Sequence, residues 1–150
     1  MSLYSVALFV HIVGALALFA LLAIEGVLLR GGASPTRVQQ VLGPISAVAI
    51  VVPGFYMAFA GAGWHAWAEV GLVSYIVIAV AGAYTGISVT RGRMSAGAVM
   101  ISWLARIGIA LGVVFDMTVK PDAVVSVAAV AAGVVAAVAA GLASRRTRAA

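Results

Sequence analysis

Five apolar stretches, each about the length of a bilayer crossing, alternate with short polar breaks, and arginines fall in every second break. The stretches are Leu3–Leu29, Val38–Ala60, Trp67–Val89, Ala98–Val119 and Ala123–Ser144. A helix needs roughly 20 apolar residues to cross a hydrocarbon core of about 30 Å. The first break holds Arg30 and Arg37, the second no base, the third Arg91 and Arg93, the fourth only Lys120; the chain then ends on Arg145, Arg146 and Arg148. With basic residues biased to the cytoplasm, this predicts an all-α membrane protein. It is a single bundle of five transmembrane helices over residues 1–150, N-terminus outside and C-terminus cytoplasmic. A four-crossing arrangement would bury the Lys120-Pro121-Asp122 break, at considerable cost.

Composition supports a lipid solvent. Hydrophobic residues make up 65% and charged residues 9% of the chain, against about 45–50% and 25% in a soluble domain. The net charge of +5 sits at helix ends rather than in a soluble patch, so nucleic acid is not an expected partner; membrane lipid is, with anionic headgroups drawn to the terminal arginines. A cleaved signal peptide has a basic start and a 7–15-residue apolar core. The first stretch has neither and reads as a retained helix in a bacterial plasma membrane. No cysteine is present, which removes disulfides and thiolate ligands.

The breaks carry turn chemistry. Residues 31–36 read as a loop with Thr36 capping the second helix. Gly61-Ala62-Gly63-Trp64 closes the outer side, with Tyr56, Trp64 and Trp67 as an aromatic belt. Pro53-Gly54 predicts a kink in the second helix, and Pro121 is expected at the first position of the fifth. Small residues four apart (Gly82 and Gly86, Gly108 and Gly112, Gly133, Ala137 and Gly141) predict close helix contacts, within the chain or in a homo-oligomer.

Four ionisable residues fall within the stretches: His11, Glu25, Arg106 and Asp116. A charge at mid-helix costs about 2.5–3.5 kcal/mol on insertion scales, so each needs a partner or an interface. His11, Ala15, Leu18, Leu22 and Glu25 form one helical stripe, which should face protein. Side chains lean toward a helix N-terminus, which aims Glu25 at Arg106 and His11 at Asp116 on an antiparallel fourth helix. Ten residues place Arg106 and Asp116 about 80° from eclipse, which disfavours serving both pairs at once. The alternatives are Arg106 reaching the interface along its own stem and Asp116 pairing with Lys120.

Sharper chemistry centres on the histidines. His11 and His65 on different helices fit haem b ligation, and His11 with Met57 and Met117 fits copper; against both stands a packing role for His11 and an interfacial one for His65. Ser74, Ala81, Thr85 and Ser88 mark a polar face on the third helix that suits a small-solute or ion pathway, although hydroxyls also bond back to their own helix. The chain contains no CxxC, HExxH, GxSxG or P-loop pattern, and an enzymatic role is the less favoured reading.

The run Leu8-Phe9-Val10-His11-Ile12-Val13-Gly14-Ala15, then Pro53-Gly54-Phe55-Tyr56-Met57, Gly63-Trp64 with Trp67, Arg106 and Asp116-Met117-Thr118-Val119-Lys120-Pro121 resembles a family of small bacterial multi-pass membrane proteins of unknown function. That family is similar to the membrane domain of copper-resistance protein D. His11 and Lys120-Pro121 also resemble the HemJ-type protoporphyrinogen oxidase, which implies His11 as a haem ligand. Where those enzymes carry a basic residue after the helix-three tryptophan, this chain has Glu69.

Overall fold

The computed structural model describes residues 1–31 and 37–149, with backbone alone at residues 62 and 145–149. Five helices follow the apolar stretches closely: α1 Leu3–Arg30, α2 Arg37–Met57, α3 Ala66–Thr90, α4 Ala96–Val119 and α5 Ala123–Ala149. All five are long and apolar enough to cross a membrane. The loop and Thr36 cap expected over residues 32–36 lie outside the described residues.

The helix ends are set by local chemistry. The Ser2 hydroxyl accepts the Ser5 amide at the start of α1, and Ser95 accepts the Ala98 amide at the start of α4. Each satisfies one of the donors a helix start leaves open. At the end of α3, Gly92 is left-handed (φ 63°). Its N–H reaches Val89 O at 3.0 Å and that of Arg93 reaches Ser88 O at 2.8 Å, the paired closure that favours glycine at this position. Lys120 ends α4 in the left-handed region, its N–H on Asp116 O at 2.8 Å.

One expectation needs correction. Pro121 is not the first residue of α5. Asp122 caps that helix, its Oδ1 accepting the Val125 amide at 3.0 Å, and Pro121 stands one residue before the cap. α2 carries Pro44 and Pro53 within its length and runs to Met57. The departure from α geometry comes later, as a wide π-helical turn over Ala58–Ala62.

The helices form two compact units, Met1–His65 and Ala66–Ala150. In the first, α1 and α2 meet at Gly14: a Cβ there would lie 2.9 Å from both the carbonyl carbon and the Cβ of Ala49. The stripe from His11 to Glu25 is shielded as expected, with Leu22 buried, while Phe9, Ile12 and Leu16 lie exposed. In the second unit, α4 and α5 lie backbone to backbone. A Cβ on Gly108 would lie 2.6 Å from Val134 Cα, and one on Gly112 2.5 Å from Val130 Cα.

The distribution of polarity is the reverse of a water-soluble protein's. Arg106, Asp116, Ser46, Ser74, Thr85, Ser88 and Ser126 are buried, whereas Phe59, Val124 and Val135 are 75, 78 and 67% exposed. Exposed apolar side chains are favourable only where the surroundings are themselves apolar.

Candidate functional site

Because membrane-depth polar residues are costly, each is followed here to its partner. His11 Nδ1 lies 2.7 Å from the carbonyl oxygen of Ile50. A carbonyl only accepts, so Nδ1 carries the hydrogen and, in the neutral ring, Nε2 holds the lone pair. Pro53 brings no amide hydrogen for the carbonyl of Ala49, and its ring crowds that turn. His11 adds a donor from the neighbouring helix at the next carbonyl, that of Ile50. Gly54 makes the fit possible, since a Cβ there would lie 3.3 Å from His11 Cε1.

His65 is exposed and folds against Gly63, whose φ of 76° suits glycine; its Nε2 lies 3.0 Å from where a Cβ would stand. Beside it, Trp64 is edge-on to Phe55 and Phe59, with ring centres 5.5 and 5.6 Å away. Met57 is buried in the first unit, while Met117 belongs to the second and presses its methyl on Gly71. Among the described residues no three His, Cys, Asp or Glu side chains are grouped to hold a metal.

In the second unit the polar face of α3 is tied to α4. Thr85 Oγ1 donates its only hydrogen to Ala81 O at 2.7 Å, so the 2.7 Å contact with Ser102 Oγ is donated by Ser102. Arg106 is 5% exposed. Its Nε reaches back one turn to Ser102 O at 3.4 Å, and Nη1 lies 3.2 Å from the place of a Gly82 Cβ. The glycine therefore makes room for a guanidinium rather than for a helix backbone, while Gly86 opens on empty space. Gly108, Gly112 and Gly133 are taken up between α4 and α5, and Gly141 sits against Leu104. Of the glycines read as an oligomer face, Gly86 alone has nothing packed on it.

Asp116 is wholly buried, and both carboxylate oxygens lack a hydrogen-bond partner among the described residues. The expected pairing with Lys120 does not form: the ammonium stands 5.2 Å over the centre of the Trp67 ring, an attractive position for a cation. His11, with its Nδ1 on Ile50 O, belongs to the other unit. Glu25 and Arg106 belong to different units. Ser126, also wholly buried, has an unpartnered Oγ.

The buried charges and exposed apolar faces on five spanning helices decide the class. The chain is a multi-pass membrane protein. No family model, no curated protein and no solved structure matches it.

Proposed function

We propose that the protein is a non-enzymatic accessory or structural unit of a bacterial plasma membrane, whose polar residues at membrane depth lock its helices. It is seated with its N-terminus outside and its arginine-rich C-terminus in the cytoplasm. The observation that carries this reading is the His11 to Ile50 hydrogen bond under Pro53. It gives the one histidine set at membrane depth a task within the fold. Thr85 and Ser102 are engaged in the same way between α3 and α4, and Arg106 bonds back to Ser102 O on its own helix. Replacing His11 with Ala removes the donor and is expected to lower stability in detergent by about 1–2 kcal/mol. The wild type, expressed with ample haem, is expected to show no Soret band. A Soret band that vanishes in His11→Ala overturns the reading.

The same hydrogen bond favours one second reading, in which His11 is a ligand to haem b or copper. Ligating histidines give their other ring N–H to a carbonyl or carboxylate, which fixes the tautomer, and His11 already has that arrangement with Nε2 left as the acceptor. Haem b would supply a redox-active iron. Within this chain, His11 would bind and Ile50 O would orient it, with His65 or Met57 from the same unit as the further ligand.

A further inference from the structure

Asp116 and Ser126 stand apart because, among the described residues, theirs are the buried side-chain oxygens without a hydrogen-bond partner. Their placement is fixed by the packing of α4 on α5. Gly108 meets Gly133 and Val134, and Gly112 meets Ala129 and Val130. Antiparallel helices keep this register turn by turn, so four residues further along α4 and four back along α5 bring Asp116 opposite Ser126. Both lie one turn inside the same end of the hairpin, beneath Lys120-Pro121-Asp122. Both are fully buried, and Asp116 Oδ1 and Oδ2 and Ser126 Oγ have no hydrogen-bond partner among the described residues.

A serine in a helix commonly turns its hydroxyl back onto its own carbonyls, as Ser46, Thr118 and Ser144 do. Ser126 does not. A carboxylate is acceptor-only when ionised, and burying one unpaired costs several kcal/mol. No hydrogen bond is made to the Asp116 carboxylate among the described residues. On its own helix, the Lys120 ammonium stands over Trp67 and Arg106 lies nearly three turns away, folded back on Ser102. At the start of α5, Asp122 is committed to its cap. The carbonyl-rich end of α4 and the amide-rich start of α5 lie side by side, so their dipoles roughly offset.

We propose that Asp116 and Ser126 form a binding site for one Na⁺ ion, taken up from the end of the membrane nearer the Lys120-Pro121-Asp122 turn. The cation neutralises the carboxylate and gives all three oxygens a partner. Hard oxygen donors without nitrogen or sulfur suit such an ion and no soft metal. A cation bound to the folded state alone stabilises it by mass action, so occupancy is read from the melting temperature of the whole chain in detergent.

In the test, Na⁺ replaces choline at constant ionic strength and fixed pH, which removes screening as a cause. The wild type is expected to melt higher as Na⁺ is added. Asp116→Asn is expected to abolish the response. Ser126→Ala is expected to raise the Na⁺ concentration at half-effect about tenfold, one charged hydrogen bond's worth. A wild type flat in the titration overturns the proposal without any variant, as does a response unchanged in Asp116→Asn. An unchanged half-point in Ser126→Ala removes the serine and refutes the paired site.

Discussion

In the second unit α4 and α5 meet backbone to backbone, and that contact yields a prediction with a built-in control. A methyl group placed on Gly108 would stand 2.6 Å from Val134 Cα and 2.7 Å from the carbonyl carbon of Gly133. Carbon atoms are comfortable at about 3.5–4.0 Å, so the helices must part by roughly 1 Å. The obstacle is backbone on both sides, and no rotamer relieves it. Because association in lipid depends on such close packing rather than on a hydrophobic drive, the parting loosens neighbouring turns too. Gly108→Ala is expected to cost about 1–3 kcal/mol, as overpacking does in well-packed cores. Gly86→Ala adds the same atom where nothing lies within 4 Å, and it replaces the poorer helix former; it is expected to be neutral or stabilising by up to about 1 kcal/mol. Reversible unfolding from mild detergent into dodecyl sulfate, followed by circular dichroism, gives both values. Equal stabilities for the two variants, or a larger loss at Gly86, would refute the reasoning.

Three further outcomes follow from the same geometry. Gly82→Ala is expected to cost under about 1 kcal/mol, because the Arg106 guanidinium at 3.2 Å is the end of a flexible chain and yields by a few tenths of an ångström, whereas Gly82→Leu displaces it and costs several-fold more on the same unfolding curve. Thr85→Val removes the hydrogen bond with Ser102 and is expected to cost about 0.6 kcal/mol, the typical value between membrane helices; a double-mutant cycle with Ser102→Ala isolates it. Asp122→Ala takes the cap from α5 and is expected to lower stability by about 1 kcal/mol, while Asp122→Asn keeps most of it.

The five crossings were legible because hydropathy is summed over whole helices, so single residues barely move it. Predicted and observed limits agree within two residues except where α2 ends at Met57, ahead of the π turn, and where α5 runs on to Ala149. The glycine pattern disclosed that α4 and α5 approach closely at Gly108, Gly112 and Gly133, yet not that the partner lies in the same chain, since spacing defines a face and not what covers it. Gly82 shows the same limit: its spacing matches a helix contact, and an arginine fills it instead. Gly14 has no second small residue four positions away, and Gly54, which has Ala58 at that spacing, faces the His11 ring rather than a helix backbone, which spacing does not disclose. His11 was legible as a residue needing a partner, but the partner is a backbone carbonyl, which carries no sequence signature. Ser126 left no signal at all. A lone serine among alanines and valines acquires meaning only once the hairpin register sets it opposite Asp116.

The account stands or falls on five crossings with the chain ends on opposite sides of the membrane. Reporter fusions in a bacterial host test this directly. A fluorescent protein that matures only in the cytoplasm, fused after Ala150, is expected to glow, and an alkaline phosphatase there to be inactive, while a tag before Met1 is labelled from outside intact cells. Both ends labelled from the same side would contradict it.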